Sequence, residues 1–224
     1  MAGPVAGITV VELGVWVAGP ATAAIPADWG ADVIKIEPPT GDPGRMFGRM
    51  LGCDLGVNPP FEMDNRSKRS VVLDLTTAAD RRTAFELLSD TDVFVTNVRP
   101  GALQRLGLDF DAVSGHNPRL VYGLITGYGE TGPDADRAAY DVAAFAAEPD
   151  FFWSPVNTLG DVVADEQFHA AGGIVEVPHG ESSVPMVATP ADFHGTPWAP
   201  RWTAPALGQH TEEVLVELAA RCGS

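Results

Sequence analysis

Five short apolar runs, separated by helix-forming stretches, restrict the first 126 residues to one kind of architecture. The runs are Ile8–Leu13, Ala31–Glu37, Ser70–Leu75, Asp92–Thr96 and Leu120–Thr126. They are rich in Val and Ile and are closed by turn residues, Gly14 after the first and Pro38-Pro39 after the second. Between them the spacing of apolar residues predicts helices over Ala18–Trp29, Thr77–Leu88 and Gly101–Leu106. Gly19-Pro20 suits a helix entry, whereas Pro26 should kink or shorten that helix. Strands apolar along their length are buried on both faces, and a strand–helix–strand order feeds parallel strands. The expected fold class is α/β, a doubly wound, mainly parallel sheet.

Two regions depart from this alternation. The stretch from Thr40 to Arg66 reads as a loop, and loops of that length are usually functional or mobile. A helix expected over Tyr140–Ala147 meets Glu148-Pro149-Asp150 after about two turns. The aromatic cluster Phe151-Phe152-Trp153 follows. Beyond it we expect helices near Leu159–Ala164 and Asp165–Ala171, strands at Ile174–Val177 and Val184–Val187, and a helix over Thr211–Arg221. This tail is rich in Pro and Gly and has no core of its own, so it should pack back on the sheet as an extension. The chain accordingly divides into residues 1–147 and 148–224.

With 45% hydrophobic and 20% charged residues, the 224-residue chain reads as globular. No run approaches 18 apolar residues, so no membrane span is expected, and Met1–Gly7 lacks the pattern of a signal peptide. Cys53 and Cys222 show neither metal spacing nor a disulfide framework, which suits a reducing cytoplasm. A net charge of −16 argues against nucleic-acid binding. Yet nine of the 14 basic residues lie between Arg45 and Arg105, which points to a specific anionic ligand. Arg81 and Arg82 equally suit a solvated helix face. His169, His179, His194 and His210 share no metal pattern and read as surface or packing residues, and His116 sits in a turn.

The stretch Asn97-Val98-Arg99-Pro100-Gly101 follows the fourth run directly. In an open α/β sheet, ligands bind outside the carboxyl ends of the strands, which makes this a ligand-facing turn. Arg99 can hold a phosphate in a bidentate fork, and a helix starting at Gly101 would present unpaired N–H groups beside it. The plainer reading is a tight strand-to-helix turn built on Pro and Gly.

A series of motifs carries a resemblance. Val11-Glu12-Leu13 runs into Ala18-Gly19-Pro20, and Gly30 to Glu37 is followed by Gly41-Asp42-Pro43. Then come Asn65-Arg66-Ser67-Lys68-Arg69-Ser70, Asn97-Val98-Arg99-Pro100-Gly101 with Arg105-Leu106-Gly107, and Asn117-Pro118-Arg119-Leu120-Val121-Tyr122. Thr126-Gly127-Tyr128-Gly129 with Thr131-Gly132-Pro133 closes the series. In this order and spacing they resemble the family III CoA-transferases, the CaiB/BaiF group, which includes the L-carnitine and formyl-CoA transferases and the α-methylacyl-CoA racemases. The tail resembles the extreme C-terminal part of the same family through Pro155-Val156-Asn157-Thr158, Ala164 to Phe168, and Leu207-Gly208-Gln209-His210-Thr211. The resemblance implies a Rossmann-like sheet and a missing middle section, with the join near Ala147–Phe151.

The resemblance also implies a chemistry. In such a ping-pong transfer, a carboxylate attacks an acyl-CoA thioester and CoA returns to a second carboxylic acid. CoA or acyl-CoA is then a substrate, no cofactor is permanently bound, and the partners are acyl-CoA and a carboxylic acid. The family's nucleophile stands in the missing section, and no residue here inherits its role by motif. Gly160-Asp161 imitates the dipeptide in other surroundings. Asp141 is the remaining catalytic candidate, with a structural hydrogen-bonding role as its alternative. It follows Tyr140 where the racemase branch has a His-Asp pair.

The resemblance places CoA recognition on Val17, Ala18, Lys68, Arg69, Asn97, Arg99 and Arg105, while Arg137 suits a further pocket cation and a surface residue equally. Trp16 and Val17 stand where relatives carry more polar residues, and Lys68 and Arg69 would otherwise read as a solvated loop. Full-length relatives are interlocked dimers, and without the middle a simpler homodimer stays open. The resulting readings are a CoA-transferase, an inactive CoA-binding remnant or interaction protein, a racemase-like enzyme, or a truncation unstable through exposed apolar surface.

Overall fold

The computed structural model describes residues 3–50, 52, 58–130, 135–136, 164, 169, 174–188 and 199–222. In chain order its elements are β1 (Thr9–Leu13), α1 (Ala18–Asp28), β2 (Asp32–Glu37), α2 (Phe47–Met50), α3 (Pro59–Asn65), β3 (Arg69–Val72) and α4 (Ala78–Leu88). Then follow β4 (Val93–Thr96), α5 (Pro100–Leu106), α6 (Phe110–His116), β5 (Val121–Leu124), β6 (Ile174–His179), β7 (Ser182–Val187) and a last helix, α7 (Thr211–Cys222). The first five strands form one parallel sheet in the order β3-β2-β1-β4-β5, and β6 and β7 form an antiparallel hairpin. The chain moves outward from β1 to β3, then crosses back to set β4 on the other side of β1. The switch point between β1 and β4 is where such a sheet opens a ligand crevice.

Alternation along the strands builds two core layers. On one face Val10, Val33 and Val95 meet Ala23 and Ala27 of α1, whose small side chains let the helix lie close. On the other, Val11, Ile34, Val71 and Phe94 meet Ala84, Leu87, Leu88, Leu103, Val113, Val214 and Leu218 from α4, α5, α6 and α7. The expected doubly wound sheet is therefore present, with helices on both faces.

Three local expectations change. The stretch after Thr40 is not an unstructured loop, since it holds a 3-10 turn at Pro43–Met46 as well as α2 and α3. The carboxylate of Asp42 caps the 3-10 turn by accepting from Gly44 N at 2.8 Å, and Asn58 accepts from Phe61 N at 3.4 Å to cap α3. Each cap is followed by proline in the first turn, where its missing N–H does no harm. Pro26 stays inside α1, which ends at Asp28, one residue short of the expected Trp29, and its carbonyl accepts from Ala31 N at 2.9 Å. Phe110–His116 forms a helix, α6, capped by Asp109, where none was expected. The helices expected at Tyr140–Ala147, Leu159–Ala164 and Asp165–Ala171 lie outside the described residues, apart from Ala164 and His169. The aromatic cluster 151–153 and the boundary at 147/148 lie outside them too.

The tail returns to β3, as expected of an extension. Trp202 O accepts from Ser67 N at 2.8 Å, and the Arg201 guanidinium donates to Ala31 O at 2.6 Å and Ser67 O at 3.2 Å. Gly208 N donates to Ser70 Oγ at 3.0 Å. A β-carbon at Gly208 would come within 2.9 Å of Val72 Cγ2, so this close approach needs glycine.

Candidate ligand-binding site

At the carboxyl end of β1 the chain turns through Gly14–Val17 into α1, and side chains from four other segments hold that turn. Asn97, just past β4, clamps Val15 from both sides: its Oδ1 accepts from Val15 N and its Nδ2 donates to Val15 O, each at 2.9 Å. Asp42 Oδ1 accepts from Trp16 N at 3.0 Å. Lys35 Nζ donates to Gly14 O at 2.9 Å, and Lys68 Nζ donates to Pro20 O at 2.8 Å. Held in this way, Trp16 takes a φ of 63°. That left-handed conformation costs a bulky residue about 1–3 kcal/mol and persists only where surroundings impose it. Gly19 completes the clamp, because a β-carbon there would lie 3.0 Å from Asn97 Oδ1.

Beneath the turn lies a buried charge cluster. Glu12 and Lys35 sit opposite each other on neighbouring strands, and both are 0% exposed. Glu12 Oε1 pairs with Lys35 and Oε2 with Lys68, each at 2.7 Å, while Lys35 also pairs with Asp42 Oδ2 at 2.9 Å. Burial raises the Glu12 carboxyl, but Lys35 and Lys68 outweigh it and hold the group below its ordinary value. Burial lowers Lys35, but Glu12 and Asp42 outweigh it and hold the ammonium above its ordinary value. At Lys68 burial prevails over the pull of Glu12 and brings the ammonium down to about 8. At neighbouring Asp64 burial prevails over Lys68 and Arg66 and pushes the carboxyl up to about 7.

The residues singled out from the sequence fall into three groups. Lys68 and Arg69 do not lie on a solvated loop. The Lys68 ammonium is fully buried against Glu12, Pro20 O, Asp64 O and Asn65 Oδ1. The Arg69 guanidinium pairs with Asp32, Glu213 and Glu217. Asn97 is the clamp just described.

Val17, Ala18, Arg99 and Arg105 form the second group, and all are exposed. No side chain caps α1, and the N–H groups of Ala18 and Gly19 have no acceptor among the described residues. Among the described residues, the guanidinium groups of Arg99 and Arg105 have no hydrogen-bond or ion-pair partner. The free N–H groups expected at α5 are not all free, because Gly101 N donates to Asp136 Oδ1 at 2.8 Å. Unpaired donors stand instead at α1. Asp141, Asp161 and Arg137, the third group, lie outside the described residues.

The basic cluster between Arg45 and Arg105 is largely internal. Arg45 pairs with Glu37 at 2.6 Å, Arg66 pairs with Asp28 at 2.6 Å, and Arg81 donates to Leu75 O and Thr76 O at 2.9 Å. Glu12, Lys35 and Asp42 escaped the sequence reading as site residues. The signal was present, since Glu12 and Lys35 are charges interrupting two otherwise apolar strands.

Uncapped backbone donors thus stand at the switch point of a doubly wound sheet, and comparison with known proteins gives the chain a family. The model for "CoA-transferase family III" matches residues 5–148 and, separately, 142–211. The chain belongs to that family. It is 40% identical over 143 residues to a cinnamoyl-CoA:phenyllactate CoA-transferase of Clostridium sporogenes, covering 63% of this chain and 35% of that one. It is 39% identical over 143 residues to a (R)-2-hydroxy-4-methylpentanoate CoA-transferase of Clostridioides difficile, covering 63% and 36%. The chain thus spans about a third of the length of these curated relatives. A crystal structure of a CAIB/BAIF family protein from Brucella suis superposes with a TM-score of 0.79 at 21% identity, covering 97% of this chain and 100% of that one. That likeness concerns the fold.

Proposed function

We propose that the chain binds coenzyme A or an acyl-CoA thioester in the crevice over β1 and β4. In this reading it is the CoA-recognition part of a transferase that moves CoA between an acyl-CoA thioester and a carboxylic acid. The observation that carries the reading is the set of unpaired donors at one point of the fold: the first N–H groups of α1, with Arg99 two residues beyond the Asn97 clamp. A diphosphate or 3′-phosphate needs several such donors, and guanidinium matches phosphate oxygens bidentately. Val17, Ala18, Arg99 and Arg105 are the proposed contacts, while Asn97 and Lys68 hold the turn and α1, and Arg69 ties β3 to β2 and α7.

A second reading, a CoA-binding chain without transfer activity, is favoured by the short span of the curated relatives that the chain matches. One experiment separates the two. The purified chain is titrated with CoA by calorimetry, then incubated with acyl-CoA and hydroxylamine and searched for a hydroxamate-modified Asp by mass spectrometry. Binding together with a labelled Asp141 or Asp161 supports the transferase. Binding without label supports the inactive binder, and absence of binding overturns both.

A further inference from the structure

We infer that Asp42, backed by the Glu12–Lys35 pair, is a positioning residue that presets the β1–α1 turn for its ligand. The inference rests on the CoA-binding reading above. Asp42 is buried, and both its carboxylate oxygens are engaged, Oδ1 by Trp16 N and Gly44 N and Oδ2 by the Lys35 ammonium. Its own N–H donates to Glu37 Oε2 at 3.0 Å. One side chain therefore joins the ligand turn to β2 and to the 3-10 turn that follows. The same contact steers an aromatic pair, because the Trp16 ring meets Phe47 edge-on at a centroid distance of 5.9 Å.

Stability alone is a weak reason for such a cluster. Buried ion pairs are often no more stabilising than apolar side chains of similar volume. This cluster instead fixes the backbone of Gly14 and Trp16, the latter in a conformation that a free chain would seldom adopt. A turn fixed in the folded protein does not have to be ordered when ligand arrives, and preorganisation of that kind raises affinity without adding a contact.

The chain contains its own control. Asp28 and Arg66 form another buried ion pair, at the far end of α1, and they touch no residue of the turn. Calorimetric CoA affinity, melting temperature and backbone amide exchange would be measured for the wild type, Asp42→Ala, Asp42→Asn and Asp28→Asn. Asp42→Ala should weaken CoA binding about tenfold or more. It should also accelerate exchange at Val15 and Trp16. Asp42→Asn keeps an acceptor for Trp16 N and should stay within about threefold of wild type. It also keeps the test usable if the alanine variant fails to fold.

Asp28→Asn should lower the melting temperature and leave CoA affinity unchanged. Affinity that simply tracks melting temperature across all the variants would overturn the inference, as would unaltered exchange at Val15 and Trp16 in Asp42→Ala. If the wild-type chain takes up no CoA, the binding reading falls and amide exchange alone decides. Acceleration at Val15 and Trp16, in addition to that at Gly44, which loses the same acceptor, then supports positioning, and its absence at Val15 and Trp16 refutes it.

Discussion

Among the described residues, the two edges of the sheet are finished in opposite ways. Along β3, the outward N–H groups of Ser70 and Val72 donate to His210 Nδ1 at 3.2 Å and Thr211 Oγ1 at 3.0 Å. Ser70 O accepts from His210 N at 3.0 Å, and Arg69 reaches across to Glu213 and Glu217 of α7. Along β5, by contrast, the only sheet partner among the described residues is β4. Val121 is 62% exposed there and Phe110 53%, and a cavity of about 170 Å³ opens between α5, α6 and β5. An unpaired edge is a template for further pairing, and proteins normally cover or charge it. The tail of this chain performs that service for β3, by side chains and isolated backbone contacts rather than by a sixth parallel strand. The difference makes the tail an integral part of the sheet domain, even though it lies more than a hundred residues from the strand it covers.

The strongest way to break the contrast is to detach the tail from the core. Leu218 is buried with Val214 in the layer that also holds Leu87 and Leu103. Leu218→Ala should destabilise the chain by about 2–5 kcal/mol, as large-to-small changes in a packed core do. Thermal or denaturant melting measures the loss. Amide exchange should rise first at Ser70 and Val72, while Val10 and Val11 stay protected. An unchanged melt would mean that the tail only rests on the sheet.

Acid attacks the same edge more gently. His210 Nδ1 accepts a hydrogen bond from Ser70 N, so the ring must be unprotonated at that nitrogen. Arg69, Asp32 and Glu213 are the charged groups that face it, and burial lowers its pKa although Glu213 pulls the other way. The unfolded chain therefore takes up the proton first. The stabilising contribution is complete above the ordinary histidine value of about 6.5 and is lost as pH falls below it. Because the ring is only half-buried, the loss should stay within about 1 kcal/mol. His210→Gln supplies an acceptor that does not titrate. Its melting temperature should be flatter than that of wild type between about pH 5 and pH 7, and equal slopes would remove His210 from the edge.

This contrast also marks what could be read before the fold was seen. The parallel strands and the helices on both faces follow from local apolar runs, and the Asn97 turn announces itself by its place after β4. Asp42-Pro43 and Asn58-Pro59 are cap-and-proline pairs that the sequence does display, yet a high proportion of Gly and Pro makes the region around them read as loop. The role of Lys68 was hidden for a different reason. Charge in a motif next to a strand is equally compatible with a ligand and with a buried partner, and only the register of β1 against β2 and the path of α3 bring Glu12 and Asp64 to it. The pairing of Arg69 with α7 depends on a contact spanning 144 residues or more, which no local pattern encodes.

The smallest effect is expected on the open edge, and it is the most discriminating. Val121 begins β5 with most of its side chain in solvent, so Val121→Lys removes little packing and should change stability by no more than about 0.5 kcal/mol. A lysine on an edge strand does disfavour strand addition, because pairing would strip water from the ammonium. Melting should therefore be unaltered, while any concentration-dependent association seen by sedimentation should diminish. A loss comparable to that of Leu218→Ala would mean that further chain lies over β5 in solution. The two edges would then differ only in which segment covers them, not in whether they are covered.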